Sequence, residues 1–103
     1  METVTLTKRE LALRIANETE VTAPDVLNVI QKLFDHITEE LAVGNRFEFR
    51  RFGVFETITR RSRIGRNPKK PADTVVIPER RVVKFTPGNE MRDLVLQKSA
   101  TKA

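Results

Sequence analysis

Over the first half of the chain, apolar residues recur at helical spacing. Leu11 and Ile15, with Ala12 and Ala16, mark one face of a short helix. Thr7-Lys8-Arg9-Glu10 sits at its start as a capping box: the Thr hydroxyl accepts a free backbone N–H while Glu reaches back. Thr22-Ala23-Pro24-Asp25 opens a second helix in the same manner, with proline tolerated in the first turn. Val26, Leu27, Val29, Ile30, Leu33, Phe34, Ile37 and Leu41 follow, and Gly44 is the expected stop. At 100° per residue these side chains span an arc of about 160°, where a helix facing one core needs little more than about 100°. The second helix is therefore predicted to be buried from two sides. In a chain of 103 residues the second partner is most simply another copy of itself.

From Arg46 the period changes to two. Phe47 and Phe49 face one side; Arg46, Glu48 and Arg50 face the other. Gly53 interrupts, and a second strand runs from Val54 towards Arg60, so the pair reads as a hairpin. Val75-Val76-Ile77 and Val82-Val83-Lys84-Phe85 read as returning strand segments. Pro87-Gly88-Asn89 breaks the pattern, Glu90 to Gln97 suits a last short helix, and Ser99 to Ala103 reads as a frayed tail. Residues 60–74 contain one large apolar side chain, Ile64, too little to offset the entropy of ordering them. This stretch is expected to project from the body. Without it about 75–80 residues remain to build a core, close to where a lone core becomes marginal, and this again favours a dimer.

Charge sharpens the division. The net charge is +5 and the pI about 10.1. Residues 1–45 hold four Lys/Arg against eight Asp/Glu, residues 46–84 twelve against four, and residues 85–103 three against two. An acidic helical part joined to a strongly basic middle suits a dedicated surface for a polyanion. With no Cys, disulfides and thiolate metal sites are excluded. No apolar run is long enough to cross a membrane, and the N-terminus lacks an apolar signal core, so the cytoplasm is the expected compartment.

Little supports an enzyme. Ser62 and Ser99 are the only serines, and the one His, His36, lies at the margin of the apolar arc of the second helix. No nucleophile–base–orienter set is present. Glu39 and Glu40 are adjacent on a helix and diverge by about 100°. The four glycines make no phosphate-binding loop, and no cofactor is called for.

The basic middle offers more. Arg60, Arg61, Arg63, Arg66, Lys69 and Lys70 lead out, Arg80, Arg81 and Lys84 lead back, and only Asp73 and Glu79 oppose them. One reading is a solvated charged loop. The other is a narrow positive ribbon suited to a phosphate-lined groove, where each neutralised phosphate releases counterions and arginines enter a narrowed minor groove. Gly65-Arg66-Asn67-Pro68 likewise fits either an ordinary turn or a mechanical part: proline at the end of a ribbon is a compact apolar wedge for a base step, with Arg66 and Asn67 beside it.

Five motifs in order, Thr7-Lys8-x-Glu10-Leu11, Arg51-Phe52-Gly53-x-Phe55, Gly65-Arg66-Asn67-Pro68, Ile77-Pro78-x-Arg80 and Phe85-x-Pro87-Gly88, resemble the pattern of the HU/integration host factor family of bacterial histone-like proteins over about residues 5–97. The resemblance implies that Pro68 is an intercalating proline and that Arg60, Arg61, Arg63, Arg66, Asn67, Lys69 and Lys70 are DNA contacts on an arm. It places Arg80, Arg81 and Lys84 on the returning strand and its base. Lys8 and the turn at 51–53, with Arg51, match phosphate contacts of the body. Phe52, Phe55 and Phe85 match the aromatic cluster of a dimer core, to which Leu33 and Ile37 of the second helix are assigned. Two departures stand out. Lys69-Lys70-Pro71-Ala72-Asp73 replaces the Thr-Gly pair common after the proline, with one extra residue before Ile77-Pro78, and Arg51 stands where many members have Gly.

The expectation is therefore an α+β fold: a helical hairpin base, a β-sheet saddle whose two central strands extend as a long two-stranded ribbon arm, and a short C-terminal helix, with two copies intertwined. The chain is expected to be a single DNA-binding domain, residues 1–103. Residues 1–45 form the dimerisation base, 46–85 the sheet with its arm at about 57–82, 86–97 the last helix and 98–103 a tail. The implied function is non-catalytic DNA architecture: minor-groove binding, bending and condensation by a nucleoid-associated homodimer or heterodimer that prefers bent, nicked or flexible duplex. The alternatives are a site-selective subunit like those of integration host factor, which Arg80-Arg81-Val82-Val83 faintly favours, and a structural protein whose basic arm takes RNA or an acidic partner.

Overall fold

Helix α1 (Lys8–Glu18) starts where Thr7, extended at φ −109°, accepts the Glu10 N–H on its hydroxyl at 3.3 Å, as the capping box predicts. Helix α2 (Ala23–Ala42) begins one residue after Thr22, whose carbonyl accepts the Val26 N–H at 2.9 Å. It ends at Gly44, which takes φ 95° while its N–H bonds the Leu41 carbonyl at 3.0 Å. Five strands follow: β1 (Phe47–Phe49), β2 (Gly53–Arg60), β3 (Arg63–Asn67), β4 (Lys70–Ile77) and β5 (Arg80–Pro87). Helix α3 (Asn89–Ala100) closes the chain. The structure is a computed structural model that describes residues 3–67 and 69–100, without the side chains of Asn67, Lys70, Pro71, Asp73 and Ala100. The chain divides into two compact units, Met1–Glu40 and Leu41–Ala103.

In the first unit α1 buries Ala12 and α2 buries Val26. Val29, Leu33 and Phe34 of α2 stay 64%, 48% and 42% exposed, so much of the broad apolar arc is uncovered in the single chain.

The second unit holds two antiparallel sheets. Strands β1-β2-β5 form the body, and β3-β4 form a two-stranded ribbon. The β1–β2 hairpin turns through 49–52, with the Phe52 N–H on the Phe49 carbonyl at 3.0 Å. Arg51 takes φ 71° there, at the turn position that favours glycine for its positive φ. Gly88 holds the next chain against this turn: its N–H bonds the Phe52 carbonyl at 2.9 Å, and a Cβ at Gly88 would lie 3.1 Å from Arg51 backbone.

Three details differ from the sequence expectation. The arm is not one continuous extension of the body strands: pairing stops at Arg60↔Arg80 and resumes at Arg63↔Ile77. Pro78 has no N–H to donate, so the ladder breaks beside it. Near the tip the register jumps from Arg66↔Thr74 to Asn67↔Lys70, which absorbs the lengthened segment containing Pro71 as an irregularity on β4. The last helix begins at Asn89 and continues to Ala100, past the expected end at Gln97, because Lys98 in its last turn suits the helix C-terminus and Ser99 and Ala100 do not oppose helix.

Candidate nucleic-acid interface

Strand parity decides which basic residues of the second unit act together. On β2 and β5, Gly53, Phe55, Thr57 and Thr59 pair with Pro87, Phe85, Val83 and Arg81, while Val54, Glu56, Ile58 and Arg60 pair with Thr86, Lys84, Val82 and Arg80. Cross-strand partners share a face. One face thus carries the aromatic rings and Arg81; the other carries Arg60, Arg80 and Lys84.

The ring face is a connected cluster. Phe55 and Phe85 lie 4.6 Å apart between centroids, Phe52 and Phe85 5.6 Å, and Phe52 and Phe55 6.3 Å. Phe49 joins Phe55 at 6.1 Å, and Phe47 stacks on Phe49 at 5.5 Å. Phe47 and Phe49 were not assigned to this cluster from the sequence, although their period-two spacing places them on the face of Phe55. Phe52 and Phe85 remain 48% and 38% exposed despite these contacts. Arg81 points its guanidinium to the end of α2, where it donates to the Ala42 carbonyl at 2.7 Å. That last turn contains no basic residue, so Arg81 satisfies an otherwise free carbonyl at the negative end of the helix.

On the opposite face, Arg60 and Arg80 are directly paired, and Lys84 stands opposite Glu56, which offsets its charge. Like charges facing one another are unfavourable without an anion between them. Arg60 and Arg80 also line a cavity of about 370 Å³ with Arg61, Ser62 and Arg63.

Along the ribbon, Arg63 pairs with Ile77, Ile64 with Val76, Gly65 with Val75 and Arg66 with Thr74. Each face thus mixes charge with apolar side chains, and Ile64 and Val76 are 72% and 70% exposed. A groove whose walls alternate phosphate and sugar suits such a surface. Lys69 lies in the tip turn. Pro68 lies outside the described residues, as do the side chains of Asn67 and Lys70.

Arg51 is exposed in the hairpin turn, 3.8 Å from Glu90, a pair open to solvent. In the first unit, the Lys8 ammonium donates to the Gln31 side chain beside a groove lined by Leu27 and Asn28. Leu33 is exposed and Ile37 half-buried on α2. His36 is exposed. Among the described residues, no group of three or more acidic or His side chains could hold a metal ion, and no helix is long and apolar enough to cross a membrane.

Known proteins share this arrangement. The family described as "Bacterial DNA-binding protein" matches residues 6–96. A "Probable DNA-binding protein HU" of Chlamydia trachomatis is 43% identical over 88% of this chain and 91% of its own length. An "Integration host factor subunit beta" of Neisseria meningitidis is 42% identical over 92% of this chain and 99% of its own. Among solved structures, an HU–DNA cocrystal structure from Anabaena superposes with a TM-score of 0.81 at 32% identity, covering 87% of this chain and 97% of that one. A mutant HU from Thermotoga maritima gives 0.63 at 26% identity, covering 87% and 99%. The chain belongs to the bacterial DNA-binding protein family that includes HU and the integration host factor subunits.

Proposed function

We propose that the protein is a non-catalytic architectural DNA-binding protein. As a dimer it grips duplex DNA through the minor groove, bends it and condenses it, and it resides with the nucleoid in the cytoplasm. The observation that carries this reading is the basic ribbon of β3 and β4, rooted in the facing pair Arg60 and Arg80. Its HU relatives are named for DNA binding, and the Anabaena neighbour is an HU–DNA complex. Arg60, Arg61, Arg63, Arg66, Lys69, Lys70 and Arg80 are the arm's phosphate and groove contacts. Asn67 and Pro68 act at the tip, Lys84, Lys8 and Arg51 are contacts of the body, and Arg81 contributes at the arm's root. Residues 1–103 work as one domain, with 1–45 as the dimerisation base, 46–85 as the sheet and arm, and α3 as the last helix.

The dimer follows from surface. Apolar side chains stay uncovered on each unit: Val29, Leu33 and Phe34 of α2, and Phe52 and Phe85 of the ring cluster. Phe52, Phe55, Phe85, Leu33 and Ile37 lie at the shared core. A second reading, a site-selective subunit paired with a paralogue, is equally compatible with the near-equal identity to HU and to integration host factor relatives.

The test is binding to intact and nicked duplex across salt. Affinity falls with a log–log slope of about −0.9 per phosphate neutralised, and Arg60→Ala with Arg63→Ala and Arg80→Ala flattens that slope. Bend angle is read by energy transfer between dyes at the duplex ends. Pro68→Ala lowers the bend and the preference for nicked DNA, because a wedge repays the unstacking of a base step by wrapping more DNA. Equal affinity for RNA, duplex and heparin, with no bending, overturns the reading.

A further inference from the structure

The break between body and arm sets one residue apart. Between Arg60↔Arg80 and Arg63↔Ile77, residues Arg61 and Ser62 have no ladder partners, and across from them lie Pro78 and Glu79. Ser62 is exposed and lies outside any strand, so its backbone is open to an incoming protein. Nearby hydroxyls of the sheets differ: Thr57, Thr59 and Thr74 are held in strand ladders, and the other serine, Ser99, lies in α3. Ser62 also shares the 370 Å³ cavity with Arg60, Arg61, Arg63 and Arg80. Among the described residues none of these four arginines is in an ion pair, Glu79 notwithstanding. The sequence around it, Arg60-Arg61-Ser62-Arg63, places two guanidinium groups immediately before a serine.

We propose that Ser62 is a phosphorylation site for an arginine-directed Ser/Thr protein kinase, and that its phosphate engages the surrounding arginines and loosens the protein's hold on DNA. The kinase supplies a nucleoside triphosphate. The Ser62 Oγ forms a bond to the γ-phosphorus as the bridging P–O bond to the diphosphate breaks, and the hydroxyl proton passes to the kinase's base. The added group brings a charge of about −1.5 to −2 and three acceptor oxygens. Guanidinium groups bind such oxygens in paired, charge-assisted hydrogen bonds. Phosphate bound within the chain occupies the arginines that would otherwise neutralise DNA phosphates. The effect on DNA rests on the proposed DNA-binding function; engagement of the arginines does not.

The experiment has three arms. First, an arginine-directed Ser/Thr kinase with labelled ATP is applied to the full-length folded protein and to Ser62→Ala. Labelling of the wild type that Ser62→Ala abolishes supports the site; no labelling, or labelling that survives Ser62→Ala, overturns it. Second, protein with phosphoserine encoded at position 62 is titrated by ³¹P NMR. The phosphate midpoint lies below the value of about 6 expected for a free phosphate monoester, and Arg80→Gln moves it back. A midpoint equal to that of phosphoserine in a short unfolded peptide overturns the engagement. Third, duplex binding is compared for the unmodified, phosphorylated and Ser62→Ala proteins. Phosphorylation weakens binding roughly tenfold and makes the salt slope shallower by about two phosphate contacts, whereas Ser62→Ala binds as the unmodified protein does. Equal affinity of the phosphorylated and unmodified forms overturns the regulatory part. If the unmodified protein itself fails to bind duplex, the DNA-binding function fails and the regulatory part with it, while the first two arms still decide the site.

Discussion

Arg80 and Arg81 are neighbours of the same type whose side chains do different work, because successive residues of a strand point to opposite faces. Arg80 faces Arg60 across the ladder, and Arg81 reaches the Ala42 carbonyl at 2.7 Å. We therefore expect the two alanine substitutions to separate. Arg81→Ala loses a charge-assisted bond to a helix end and costs about 0.5–1.5 kcal/mol, towards the lower figure because the site is exposed. Arg80→Ala leaves the fold intact and weakens DNA binding with a shallower salt slope. Urea unfolding together with anisotropy binding for each variant checks this, and equal stability of Arg81→Ala and wild type would refute the capping role. Gly53 is a second residue whose identity the packing dictates. A Cβ there would approach the Thr86 carbonyl oxygen and the Phe85 ring to 2.6 Å. Gly53→Ala is expected to destabilise by about 1–3 kcal/mol through this overpacking, visible as a lowered thermal midpoint.

At the scale of elements, the arm is a separate two-stranded sheet joined to the body through a break. An isolated two-stranded ribbon is only marginally stable in water. The break at Pro78 is therefore expected to let the ribbon move as a unit on its root. Pro78→Val supplies the missing N–H and a strand-favouring side chain, so pairing can run on from Arg60↔Arg80 into the arm. The expected result is slower amide hydrogen exchange for residues 61–64 and a stiffer arm by ¹⁵N relaxation. Unchanged exchange would mean that the break has another origin. The irregularity at Arg66/Asn67 is a second device of this kind, produced by a tip segment longer than the facing strand needs.

For the whole molecule, the uncovered apolar residues decide how the chain exists in solution. Exposed Val29, Leu33, Phe34, Phe52 and Phe85 cannot be left to water at the cost their size implies, roughly 1.5–3 kcal/mol for each side chain fully buried. Folding and association are then one event, and the thermal midpoint rises with protein concentration. Phe52→Ala, which removes a ring from the core we propose the two copies share, is expected to cost about 3–5 kcal/mol and to shift the midpoint and the dimer dissociation constant together. A monomer by sedimentation at micromolar concentration, with a melting temperature independent of concentration, would contradict this.

Much of the fold is local in origin, and so it is legible in the residues themselves. Thr7 and Gly44 mark helix ends because caps are formed by side chains and backbone within one turn. The alternation from Arg46 onwards marks strands because the strand period is two. The family motifs, read in order, point to the bacterial DNA-binding family that the comparisons establish. Other features depend on residues far apart in the chain. That Arg81 serves the end of α2 while Arg80 faces Arg60 depends on the register between β2 and β5, a pairing no local pattern specifies. The tertiary structure likewise split the ribbon from the body at Pro78, gathered Phe47 and Phe49 into the ring cluster, and set Ser62 among four arginines. Local preferences determine which segments become helix or strand; only register and long-range packing determine which side chains meet.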